Sequence, residues 1–240
     1  MADCSRCRDG RLHGICVGKV PLFSALEGAD MAHVASLIRH NSHRKGDILF
    51  SERDKLGEMV IVNAGSVKAY TLTPDGREQI LYIFGEGDFF GERNLFGDRA
   101  APYTAEALSD VKTCTFSRES FRALLHAHPE IAIKIIEALE DRLARLENVL
   151  KQIGVRSVDA RIGALLIEMM EKYGEDAPEG VLIRLPLSRE GIANYLGIAR
   201  ETLSRKLSQL EGEGVIRAVG NKTLVVRDRD ALLLAADAGG

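Results

Sequence analysis

Apolar and polar positions alternate along short runs between Asp47 and Phe116: DILF, EMVIVNAG, SVKAYTL, EQILYIF, GDFFG, YTAEAL and VKTCTF. A period of two puts the apolar side chains on one face of a pleated strand. Gly46, Gly57, Gly65, Gly76, Gly85, Gly87 and Gly91 fall at or near the junctions, where a sharp turn costs glycine least. TPDGREQ, with Pro74 and Asp75-Gly76 between two alternating runs, predicts a hairpin. Strands this short and this evenly punctuated predict a sandwich or closed barrel of jelly-roll type. Upstream, PLFSALEGADMAHVASLI predicts helical turns leading into it.

After Pro129 the period changes to about three and a half residues. Ile136, Leu139, Leu143, Leu146 and Leu150 recur at alternating spacings of three and four, the seam of one long helix. Glu137, Glu140, Asp141, Arg142, Arg145 and Glu147 flank it. So narrow a stripe needs a partner, either the chain's own barrel or the same helix of a second copy. A further amphipathic helix, VDARIGALLIEMMEKYG, is followed by GEDAPEG, which predicts an exposed connecting loop.

SREGIANYLGIARETLSRKLSQLEGEGVI carries the most specific pattern. Ser188 is a suitable N-cap; Ile192, Ala193 and Leu196 form one apolar face; Gly197 then breaks the helix. A second helix buries Leu203, Leu207 and Leu210 and ends near Gly212 or Gly214. Two short helices joined by a glycine turn predict a helix-turn-helix, and VIRAVGNKTLVV predicts a hairpin wing behind it. Opposite the leucines stand Arg200, Glu201, Ser204 and Arg205, in the half of the helix that enters a major groove. Glu201 can accept from a cytosine amine, Arg205 can donate a fork to guanine, and Ser204 can touch a thymine methyl or a phosphate. Arg200 and Lys206 suit phosphates.

Charge sharpens this picture. Residues 184–229 hold nine Lys/Arg against five Asp/Glu, a net of +4, although the chain totals -3. A cationic module on an acidic body suits a phosphate-contacting domain, because neutralised phosphates supply much of the affinity for DNA. No apolar run approaches the ~20 residues of a membrane helix, and the polar beginning lacks a signal-peptide core, so a cytoplasmic protein without membrane contact is expected. No P-loop and no grouping of a nucleophile with acid-base residues stands out, which argues against an enzyme.

Three of the four cysteines, Cys4, Cys7 and Cys16, crowd the first sixteen residues, and Cys114 closes the last barrel run. In a reducing compartment such clusters bind metal or act as redox switches rather than as structural disulfides. Four thiolates suit tetrahedral zinc or a [4Fe-4S] cluster equally, and a thiol switch remains open. His13 lies inside the interval between Cys7 and Cys16.

The order of barrel, seam helix and winged helix-turn-helix, ending in NYLGIARETLSRKL, resembles the Crp/Fnr family of bacterial transcription regulators over nearly the whole chain. ETLSR looks like the E-x-x-S-R recognition signature of the FNR-like, oxygen-sensing branch, with Glu201, Ser204 and Arg205 at the matching positions. The resemblance implies an α+β fold. Its parts are a cysteine-rich arm (1–20), a cyclic-nucleotide-binding-like β-barrel (21–128), a dimerisation helix (129–154) and a winged DNA-binding domain (155–240). It also implies a homodimer on double-stranded DNA with TTGAT and ATCAA half-sites, and contact with RNA polymerase. The branch further implies a [4Fe-4S] cluster on Cys4, Cys7, Cys16 and Cys114, although the eight residues between Cys7 and Cys16 exceed its usual interval. Gly91-Glu92 resembles the ribose-contacting part of the family's nucleotide pocket. The Arg-Ser step that would hold a cyclic phosphate is replaced by neutral AAPY around Ala101 and Pro102, which argues against a cyclic nucleotide. A regulator whose barrel answers another small ligand is the alternative.

Overall fold

The alternating runs form two four-stranded antiparallel sheets in the computed structural model, which describes residues 20–24, 26, 28–93, 97, 99–155, 157–220 and 222–237. Cys4, Cys7 and Cys16 lie outside the described residues. The described chain divides into two units, one of residues 1–71 and 80–142, the other of 72–79 and 143–240.

In the first unit, one sheet runs β1 (Arg39–His43), β8 (Val111–Ser117), β3 (Glu58–Ala64), β6 (Phe89–Phe90). The other runs β2 (Ile48–Phe50), β7 (Thr104–Ala107), β4 (Val67–Leu72), β5 (Glu78–Phe84). Alternation gives the first sheet two buried faces. Met59, Ile61, Cys114 and Phe116 pack in one core with residues of α1 (Gly28–Leu37), α2 (Arg118–Ala127) and α3 (Pro129–Val155), including Val34, Phe121 and Ile131. Val62, Phe90 and Val111 belong to a second core, shared with Phe50, Val67 and Ala105 of the opposite sheet. Strand β1, RHNSH, is nearly all exposed and has no apolar alternation; it is an edge strand held by its backbone ladder to β8.

Helix α3 is 27 residues long and starts at Pro129, where a missing N–H costs nothing. Ile131 and Ile135 are buried against the first core, and Leu139, half-buried, packs on it too. Ile133, Ile136, Leu143 and Leu146 are exposed, and the Leu150 side chain lies outside those described.

The second unit contains α4 (Val158–Tyr173), β9 (Gly174–Ala177), β10 (Gly180–Arg184), α5 (Arg189–Leu196), α6 (Arg200–Gly212), β11 (Ile216–Ala218), β12 (Thr223–Val226) and α7 (Arg229–Asp237). Ser157 caps α4 by accepting from the Ala160 amide. The four strands form one sheet in the order β11-β12-β10-β9. GEDAPEG is therefore not a plain loop: Gly174–Ala177 pairs with β10, and only the turn at Pro178-Glu179 connects them. Backbone pairing, with the Arg184 guanidinium donating to Glu175 across the two strands, recruits these polar residues, whose side chains stay mostly exposed. No described helix is long and apolar enough to cross a membrane.

Candidate nucleic-acid interface and sensor site

Helices α5 and α6 are set by two local devices. The Ser188 hydroxyl accepts from the Gly191 amide at 3.1 Å, so α5 begins there. Gly197 ends it in the left-handed region at φ 64°, a conformation that residues with a Cβ disfavour, and the Ile198 amide closes back on the Ala193 carbonyl at 3.0 Å. Helix α6 then buries Leu203, Leu207 and Leu210, which fixes its rotation. Arg200, Glu201 and Arg205 are consequently exposed and Ser204 is half-exposed. No ion pair joins Glu201 to Arg205 among the described residues, and both side chains are exposed.

Lys206 is placed differently. Its ammonium donates to Asp159 of α4 at 2.9 Å and to Gln209 at 3.2 Å, and its side chain is only 11% exposed. It ties the helix-turn-helix to α4, as does Arg161, which donates to the Leu196 carbonyl at 3.1 Å. Sequence reasoning missed both ties, since nothing in a linear pattern links residues 159 and 206. The wing forms from β11 and β12, and Lys222 donates to the Pro186 carbonyl at 3.1 Å.

In the first unit, Cys114 sits at the centre of β8, 5% exposed, opposite His40 of β1 and Ile61 of β3. Its sulfur lies 3.4 Å from His40 Nδ1. The thiol faces the helix side of the sheet, in the core that also takes Val20, Leu22, Phe23 and Leu26 from the segment directly following the arm cysteines. The remaining candidate ligands, Cys4, Cys7 and Cys16, fall outside the described residues. The donors' chemistry, four soft thiols, fits an iron-sulfur cluster as it fits zinc.

Inside the barrel, Gly91 has φ 84°, and a Cβ there would come within 2.6 Å of the Glu58 carbonyl oxygen. This glycine turn delivers Glu92 to a region bordered by aromatic rings. Arg142 of α3 approaches Glu92 at 3.6 Å and donates to the Phe89 carbonyl. Burial, reinforced by the nearby Glu92 carboxylate, pushes the Tyr103 phenol far above its usual value, so it stays neutral.

A two-sheet barrel followed by a long helix and a winged helix-turn-helix with an exposed Arg/Glu/Arg face defines a DNA-binding transcription regulator. Residues 40–128 match the cyclic nucleotide-binding domain family, and residues 160–234 match the Crp-like helix-turn-helix domain. With the nitrogen fixation regulation protein FixK of Bradyrhizobium diazoefficiens also 31% identical, over 89% of each chain, this chain belongs to the Crp/Fnr family of transcription regulators. Members of that family are not enzymes. The transcriptional activator protein FnrA of Stutzerimonas stutzeri is 27% identical over 98% of this chain and 93% of its own. The solved structure of FixK2 from Bradyrhizobium japonicum superposes with a TM-score of 0.72 at 28% identity, covering 82% of this chain and 96% of that one. These relatives fix the family and the α+β fold, not the branch.

Proposed function

We propose that this chain is a homodimeric, oxygen-responsive regulator that binds an FNR-box-like palindrome and holds a [4Fe-4S] cluster through Cys4, Cys7, Cys16 and Cys114. The single observation that carries the sensor reading is the position of Cys114. It faces the core occupied by Val20 and Leu22, and Cys16 is four residues from Val20. Four residues span at most about 14 Å, so the chain length allows Cys16 to approach the core that holds Cys114. A cluster bound there would supply oxygen-sensitive redox chemistry. Cys114 would contribute its thiolate from a strand, a fixed point, while Cys4, Cys7 and Cys16 would contribute theirs from the segment that precedes Val20 in sequence. Loosening the arm thus bears directly on the core into which Ile131 and Ile135 of α3 insert. For the DNA, Arg205, Glu201 and Ser204 read bases, and Arg200 takes a phosphate.

Anaerobic purification, followed by visible absorption and iron, sulfide and zinc analysis before and after air, tests the reading. We expect broad absorbance with about four irons per chain, bleached by air and absent in Cys114→Ser. Colourless protein carrying zinc, or no metal under strict exclusion of oxygen, defeats it and transfers the signal to zinc, to a thiol switch or to a barrel ligand.

A further inference from the structure

We propose that Arg142 is a built-in ligand of the barrel: its guanidinium fills the pocket beside Glu92, excludes a cyclic nucleotide and pins the long helix to the barrel. The observations are independent of the cysteines. Arg142 projects from α3 and is only 18% exposed, Glu92 only 15%. The guanidinium carbon stands 4.5 Å from the ring centre of Phe89 and 5.3 Å from that of Phe84, so two aromatic faces receive the cation. One arm of the fork donates to the Phe89 carbonyl, and the other faces Glu92 Oε2 at 3.6 Å. That oxygen is buried and has no hydrogen-bond partner among the described residues, so Arg142 is its charge compensation.

The surroundings leave little for a second occupant. Phe84 contacts Phe90 at 4.9 Å between ring centres and stacks on Tyr82 at 5.7 Å; Tyr103 closes on Phe50 at 5.7 Å. An anionic ligand would find its cation already engaged by Glu92, and Ala101, where the sequence lacks a second guanidinium, is 2% exposed. A domain related to nucleotide-binding ones therefore carries its own plug. Because the plug grows from α3, it adds a polar tie between the barrel and this helix to the apolar contacts that Ile131, Ile135 and Leu139 already make.

Chemical rescue tests this. Arg142→Ala should lower the thermal midpoint by roughly 4–8 °C, taking one lost cation-aromatic and ion-pair set as the change. Millimolar methylguanidinium should raise that midpoint, equimolar methylammonium should not, and wild type should respond to neither. Cyclic AMP should fail to bind wild type in equilibrium dialysis. Glu92→Gln, which keeps the shape and removes the charge, should lower the midpoint of wild type and provides the reading if Arg142→Ala does not fold. Absence of guanidinium-specific rescue, an unchanged midpoint in Glu92→Gln, or cyclic AMP binding to wild type each overturns the proposal.

Discussion

Arg205 and Lys206 are neighbours in sequence and opposites in placement. Arg205 is exposed with its head free of Glu201, whereas Lys206 is folded back on Asp159. Their substitutions should separate accordingly. Arg205→Ala should cost about 1–3 kcal/mol on the specific site and relax the choice at one guanine, with a smaller loss on random DNA, as measured by titration against operator variants. An equal loss on both would reduce Arg205 to a phosphate contact. For phosphates the readout is the salt slope: Arg200→Ala should flatten log K against log salt by about 0.9, one phosphate's share, and Lys206→Ala should leave it unchanged. A flattened slope in Lys206→Ala would mean that the ammonium leaves Asp159 for DNA on binding. The sequence made the exposed positions of α6 legible because Leu203, Leu207 and Leu210 dictate the helix's rotation. It hid the Asp159–Lys206 tie, because charge partners 47 residues apart leave no periodic trace.

At the level of elements, apolar period was a good guide wherever a face is buried and a poor one wherever the backbone does the holding. The two sheets and α3 to α6 follow their patterns. RHNSH and GEDA carry no alternation, yet form β1 and β9, since an edge strand needs only the ladder of its neighbour. Helix α3 shows a subtler limit. The seam of Ile136, Leu139, Leu143, Leu146 and Leu150 is visible in sequence, but Ile131, Ile133 and Ile135 make the first turns apolar on several sides. Ile131 and Ile135 go into the barrel core, leaving Ile136 65% and Leu143 57% exposed. An exposed apolar row on a helix already anchored by its other face is suited to a second copy of itself. Leu143→Glu should therefore leave circular dichroism intact and weaken self-association at least about 100-fold in sedimentation, since each of two symmetry-related leucines forfeits roughly 1.5–3 kcal/mol of burial. Unchanged association would exclude this row from the interface.

For the whole molecule, the question is whether the signal makes the dimer or only adjusts it. The sequence places +4 between residues 184 and 229 and -7 on the rest, a cationic module whose DNA affinity would gain most if two copies bind together as proposed. In the proposed homodimer, two-fold symmetry would set two α6 helices into successive major grooves, roughly 34 Å apart, only if the paired chains hold one arrangement. The exposed row Ile133, Ile136, Leu143 and Leu146 is wholly apolar. Nothing in it makes association conditional on a charge being neutralised, and apolar seams favour standing association. Arg142, from the same helix, reaches into the barrel beside Glu92, which gives the helix a lever other than dissociation. Anaerobic and air-exposed protein should therefore sediment with the same dimer mass at micromolar concentration, while operator affinity falls in air. A monomer in air would instead assign the response to the association equilibrium and make the apolar row weaker than its exposure implies. A dimer in both conditions, with affinity lost in air, would locate the switch within a standing dimer rather than in its assembly.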